Sequence, residues 1–109
     1  MKQLNVTTSF TVFSSLEELD DATKKVMQNA IDIRKTAYAP YSNFLVGTAI
    51  VLDNGEIISG TNQENAAYPS GLCAERVAIF YAGATYPEAK ILKICISASP
   101  KDRESETPI

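Results

Sequence analysis

The apolar and polar positions change their period several times along the chain, and each change marks an element. Over residues 4–13, Leu4, Val6, Thr8, Phe10 and Val12 alternate with Asn5, Thr7, Ser9 and Thr11, a period of two that predicts a threonine-rich strand or extended arm. Ser14 and Ser15 are each followed three residues later by Glu17 and Glu18, so either register gives a capping box. Leu16, Leu19, Ala22, Val26, Ala30, Ile33 and Ala37 then recur at spacings of three and four. Together these predict a first helix running to about Thr36, with Asp20/Lys24 and Asp21/Lys25 paired four apart on its polar face. Pro40 ends it in a tyrosine-rich loop over residues 37–43. Residues 45–52 are almost entirely apolar and β-branched, the pattern of a strand buried on both faces. Asp53-Asn54-Gly55-Glu56 carries a type I′ turn signal into a second strand over 56–60. A loop of polar and small residues, 61–71, leads into 72–81. There Leu72, Cys73, Ala74, Val77, Ala78, Ile79, Phe80 and Ala82 leave almost no polar face, which predicts a central helix closed by Gly83. Residues 91–98 alternate as a third strand, and after Pro100 the chain is polar and patternless. No repeat, low-complexity tract or linker divides the chain. The pattern predicts a single domain over 1–109, an N-terminal arm (1–14) followed by a core (15–109).

Composition narrows the function. The chain has 109 residues, 45% apolar and 21% charged, which suits one compact domain. The formal net charge is −3 and Lys and Arg are not clustered, so no nucleic-acid partner is expected. The longest apolar run, Val77 to Ala82, is six residues, far short of the ~20 that span a bilayer. Residues 1–5 show no apolar signal segment, so no membrane partner and a cytoplasmic location are expected. There is no histidine, which removes Ser/His/Asp and Cys/His nucleophile pairs and every zinc site with an imidazole ligand. Carboxylates and the thiols of Cys73 and Cys95 remain for any chemistry. In a cytosolic chain such a pair reads as two reduced thiols, with Cys95 a structural residue of the third strand.

Cys73, Glu75 and Arg76 stand at the start of the second helix, where unpaired N–H groups and the positive dipole end favour negative charge. Glu75, beside apolar neighbours, is the group able to take and return a proton. The same residues also describe a small buried hydrophobe and a first-turn acid paired with Arg76, the commoner arrangement, and spacing alone leaves both readings open. Asn62-Gln63-Glu64-Asn65 joins amides and a carboxylate, a set suited to vicinal hydroxyls but also to ordinary turn chemistry. Phe44 suits either a pocket for a planar ring or the core. Two thiols without an imidazole fall short of the ligands a zinc site requires.

Three linked segments, Tyr41-Ser42-Asn43-Phe44-Leu45-Val46-Gly47-Thr48-Ala49, Gly60-Thr61-Asn62-Gln63-Glu64-Asn65-Ala66-Ala67-Tyr68 and Cys73-Ala74-Glu75-Arg76, occur in an order and at spacings that resemble the cytidine deaminase family. The resemblance covers about residues 15–109 and is to the small, homotetrameric branch with an all-cysteine zinc site. It implies an α/β fold of three layers, α/β/α, with a mixed central sheet whose C-terminal elements lie outside the 109 residues. It also implies zinc-dependent hydrolytic deamination of cytidine and 2′-deoxycytidine to the uridine forms, as in pyrimidine salvage. By the same resemblance Cys73 is a zinc-ligating thiolate at a buried helix start with its sulfur in a cavity, Glu75 carries protons, and Arg76 stabilises the thiolates. Asn62 and Glu64 bind the ribose, Phe44 lies beside the pyrimidine, and Ala74 with the Cys73 backbone contacts the base. Ala66 and Tyr68 reach a neighbouring subunit's site, and the implied assembly is a homotetramer acting on a small nucleoside. Zinc deaminases pair such a motif with a downstream Pro-Cys-x-x-Cys. That motif has no counterpart here. The expectations are therefore a piece of a longer deaminase or a catalytically silent nucleoside-binding or assembly subunit, and the retained site residues favour the enzyme.

Overall fold

The computed structural model describes residues 3–5, 7–67 and 71–101. Strand β1, Phe44–Leu52, organises the rest because both of its faces are apolar. It lies between β2, Ile57–Thr61, and β3, Ile91–Pro100, and pairs antiparallel with each, so that Thr48 stands opposite Gly60 on one side and Ile96 on the other. Side chains alternate across a strand. Ala49 packs with α1, Asp21–Ile33, and Ile50 and Leu52 pack with α2, Ala74–Thr85. The result is the expected α/β/α layering. The described strands do not form a mixed sheet, however, because the β1–β2 hairpin and the return of β3 along β1 make both ladders antiparallel. The parallel pairing that is described is an isolated bridge between Tyr38 and Gln63.

The first helix begins later than its capping boxes predict. Ser14 N–H donates to Glu18 Oε2 at 2.6 Å and the serines open only a 3-10 turn, Leu16–Glu18, after which Leu19 is extended. Asp20 is the N-cap of α1, its Oδ2 accepting from Thr23 N–H at 3.1 Å. With Asp20 so engaged, Lys24 pairs with Glu17 at 2.6 Å instead. Val26, Met27, Ala30 and Ile31 are the buried stripe, and a 3-10 turn, Arg34–Thr36, carries the chain to the predicted end. The described part of residues 4–13 pairs with no strand, leaving Leu4, Phe10 and Val12 exposed. A period of two makes a strand only where a partner receives its hydrogen bonds.

The hairpin turn is not type I′, which needs positive φ at both central residues. Only Gly55 is left-handed there (φ +89°), and the loop closes through Gly55 N–H to Leu52 O and Leu52 N–H to Glu56 O, both 3.0 Å. This matches a three-residue loop ending in a left-handed glycine. α2 starts at Ala74, runs through Gly83, and buries only the stripe Ala74, Ala78, Ala82, while Phe80 and Tyr81 are exposed. It is therefore not buried all round. The stripe is small because backbone meets backbone: a Cβ on Gly60 would lie 2.7 Å from Ala78 N and 2.9 Å from Ala74 O. On the opposite face a Cβ on Gly47 would lie 2.1 Å from Ala30 O. The outer edge of β3 has no partner among the described residues, and Leu92 is 66% exposed beside a half-exposed Ile94. Among the described residues no helix is long and apolar enough to cross a membrane. Cys95 is buried in the α1 layer as expected of a structural thiol, and that burial pushes its thiol up against the opposing charge of Lys93.

Gly60→Ala should lower Tm by on the order of 10 °C, since overpacking costs about 1–3 kcal/mol and each kcal/mol is worth several degrees in a domain this size. An unchanged thermal melt would contradict the close approach of α2. A thiol reagent should titrate one cysteine, Cys73, under native conditions and the second, Cys95, only in denaturant.

Candidate active site

Three segments converge at one end of the sheet: the start of β1, the loop that follows β2, and the start of α2. Asn43, in the left-handed region (φ +56°), turns the chain into β1, and asparagine tolerates that conformation better than most residues. Its N–H donates to Ala39 O at 3.0 Å and its carbonyl accepts from Lys101 N–H at 2.7 Å. Phe44 follows at the first position of β1, 41% exposed and outside both core clusters.

Asn62 comes directly after β2 and holds Phe44 in place. Its Oδ1 accepts from Val46 N–H and its Nδ2 donates to Phe44 O, both at 3.0 Å, so the buried amide continues the ladder as a strand backbone would. Glu64 clamps the preceding loop. Its Oε1 accepts from Tyr41 N–H (3.0 Å) and Ser42 N–H (3.1 Å), and its Oε2 accepts from the Ser42 hydroxyl. The Ser42 hydroxyl, followed by the N–H groups of Ser42 and Tyr41, holds this carboxyl below its ordinary value. Between them Gln63 exchanges two backbone bonds of 2.8 Å with Leu72, tying the loop to the residue before Cys73.

Cys73 is the N-cap of α2 (φ −76°, ψ 160°), and it is exposed, not at a buried helix start facing a cavity. Its extended backbone places it ahead of the helical face that meets the sheet, and Ala74 takes the buried position. Glu75 is half-buried, with one oxygen accepting from the Thr48 hydroxyl of β1 at 3.4 Å. Arg76 and Ala66 are exposed, and Tyr68 lies outside the described residues. The structure therefore joins Phe44, Asn62 and Glu64 into one bonded unit, links it through Leu72 to Cys73 and Ala74, and sets Glu75 over the sheet. Two residues with no role assigned from sequence join this unit. Ser42 fastens Glu64, and Thr48 contacts Glu75; the signal for Thr48 was a single hydroxyl inside an otherwise apolar strand.

The second thiol lies elsewhere, since Cys95 is in the α1 layer and Glu75 lies on the α2 side. Among the described residues no group of three or more His, Cys, Asp or Glu side chains is placed to hold a metal ion. A zinc site takes three or four protein ligands. The donors present at the start of α2 do not complete one.

Residues 20–100 match the family model described as the cytidine and deoxycytidylate deaminase zinc-binding region. The cytidine deaminase of Halalkalibacterium halodurans is 41% identical over 78 residues, covering 70% of this chain and 57% of that protein. The probable cytidine deaminase of Dictyostelium discoideum is 36% identical over 88 residues, covering 80% of this chain and 56% of that protein. The chain thus spans about half the length of the curated relatives it matches. Among solved structures, cytidine deaminase from Mycobacterium tuberculosis superposes with TM-score 0.71 at 28% identity, over 83% of this chain and 68% of that one. Cytidine deaminase from Burkholderia pseudomallei gives TM-score 0.62 at 39% identity, over 72% and 61%. The matched region is by its description zinc-binding, which makes zinc the metal of this family. The layered α/β core and the matched residues place the chain in the cytidine and deoxycytidylate deaminase family.

Proposed function

We propose that the chain serves hydrolytic deamination of cytidine and 2′-deoxycytidine, with Glu75 as the proton carrier, in pyrimidine salvage. The observation that carries this is the bonding of the Phe44–Asn62–Glu64 unit, through Gln63 and Leu72, to the helix start that holds Cys73 and Glu75. Water adds through oxygen to C4 of the cytosine ring while the Glu75 carboxylate takes its proton and passes it to N3. The second proton of that water goes by the same carboxylate to the amino group, the C–N bond breaks, and ammonia leaves a carbonyl at C4. Cys73 offers one thiolate to zinc, and the remaining ligands are not among the described residues.

Sugar binding uses what the clamp leaves over. An amide nitrogen has two protons and a carboxylate oxygen two lone pairs. Asn62 Nδ2 spends one proton on Phe44 O, and Glu64 Oε2 spends one lone pair on the Ser42 hydroxyl. One donor and one acceptor remain for ribose hydroxyls. Phe44, half-exposed at the start of β1, offers a ring to the pyrimidine, and Ala74 with the Cys73 backbone lies where α2 begins. Arg76, two residues beyond Ala74, is a cation available to the thiolate. The alternative, a silent nucleoside-binding or assembly subunit, suits the incomplete ligand set among the described residues, but the relatives, named as cytidine deaminases, do not favour it. For assembly we propose a homotetramer in which Ala66 and Tyr68 serve a neighbour's site, supported by the exposed position of Ala66 and the uncovered Phe80 and Tyr81 of α2.

Cytidine absorbance, followed with zinc and this region inside a protein that supplies the remaining zinc ligands, should fall as uridine forms. Glu75→Gln should lower kcat by about 10²–10⁴-fold, the usual contribution of general acid–base catalysis. Binding of nucleoside without turnover would overturn the enzymatic reading. Glu64→Gln should raise KM more than it lowers kcat. It should also remove a pH dependence of stability. A carboxyl whose folded value is depressed contributes above its ordinary value of 4.5 and loses that contribution as pH falls through the lower folded value. The wild-type melt should therefore lose more than the variant between neutral pH and the acid side of 4.5. Light scattering at micromolar concentration, on a complete protein carrying this region, should give four chains per particle, and a monomer would refute the assembly.

A further inference from the structure

Thr48 is fully buried on β1, on the face turned to α2, whose core cluster of Ile50, Leu52, Ile58, Ala78 and Ala82 is entirely apolar. A hydroxyl removed from water into such a layer costs free energy unless it is bonded, and a valine of the same shape fills the space without that cost. The bond it makes is to Glu75: Thr48 Oγ1 donates to Glu75 Oε1 at 3.4 Å. Its cross-strand neighbour explains how the carboxylate comes within reach. Thr48 stands opposite Gly60, and the missing side chain there lets the first turn of α2 descend until Ala74 O and Ala78 N sit within 3 Å of where a Cβ would be. The helix start is lowered onto the sheet at the one register where a strand hydroxyl meets the second residue of α2.

From this we infer that Thr48 is a positioning residue for Glu75: its hydroxyl tethers Oε1 and fixes the side-chain rotamer, leaving Oε2 as the oxygen that exchanges protons. The inference rests on the deaminase reading, which gives Glu75 its role, but the tether can be tested without turnover. A glutamate in the first turn of a helix samples several rotamers, and a contact to a buried, immobile donor favours the one that makes it. Misplacement of a reacting group is costly in rate, of order 10²-fold for about 1 Å.

The test compares wild type, Thr48→Val and Thr48→Ser, each as the whole chain. Three-bond couplings of the Glu75 side chain, measured by NMR, should report one rotamer in wild type and in Thr48→Ser, and averaged values in Thr48→Val, with amide spectra showing all three folded. Where cytidine is turned over, Thr48→Val should lower kcat about tenfold or more with KM nearly unchanged, and Thr48→Ser should restore it. Couplings that are averaged in wild type, or unchanged in Thr48→Val, overturn the inference. So does a rise in KM with kcat intact. No turnover by a zinc-loaded protein carrying this region, with the predicted couplings present, refutes the deaminase reading and leaves the Thr48 tether standing.

Discussion

Contact between helix backbone and strand backbone at two glycines governs the architecture. On one face Ala30 leaves no room for a side chain at Gly47, and on the other Ala74 and Ala78 leave none at Gly60. Both helices are thereby held at short range on a thin sheet, and the sheet sandwiched between them can be only as wide as its small residues allow. That constraint sets the height of the first turn of α2. Cys73, Ala74 and Glu75 inherit their positions from it, because a helix start has no freedom to shift when its first buried turn is an alanine resting on a peptide group.

Much of this was legible in the chain, and the failures have particular causes. β1 and α2 are recognisable as apolar runs of different length, β3 by its alternation, and β2 with its hairpin because Gly55 marks the reversal. The start of α1 was misplaced because Asp20, whose spacing to Lys24 reads as half of a surface pair, is instead the cap, while the serines open only a 3-10 turn. The N-terminal alternation misled because a strand is defined by its neighbour, which is absent from a one-dimensional pattern. The apolar surface of α2 suggested complete burial, yet its sequence cannot say how many elements surround it. At the site, residue types were visible but not their occupation: nothing in the string shows that Asn62 spends its amide on β1 or that Ser42 fastens Glu64.

That occupation changes how the site is understood. Asn62 and Glu64 are structural before any ligand arrives, one continuing a ladder and the other gathering the N–H groups of a loop. Preorganisation of this kind would reduce the ordering cost of the proposed sugar binding, since these polar groups are already held. It also makes the two roles hard to separate by deletion. Removing either side chain loosens Phe44 or residues 41–42 along with any contact to a sugar, so conservative amide-for-acid exchanges are more informative than alanine.

β3 carries a further consequence for how the protein behaves in the test tube. It is ten residues long, borders the sheet on a side where no described residue pairs with it, and presents Ile91, Leu92 and Ile94 to solvent. A long, apolar, unpaired edge is a template for strand addition from any other chain with free backbone groups. Lys93 is the charged residue that interrupts it, and it is drawn back onto α1 by its bond to the Thr23 hydroxyl at 2.5 Å. Wherever that edge is left uncovered, the ladder that completes the fold is also the surface at which two chains would meet, and self-association would rise with concentration.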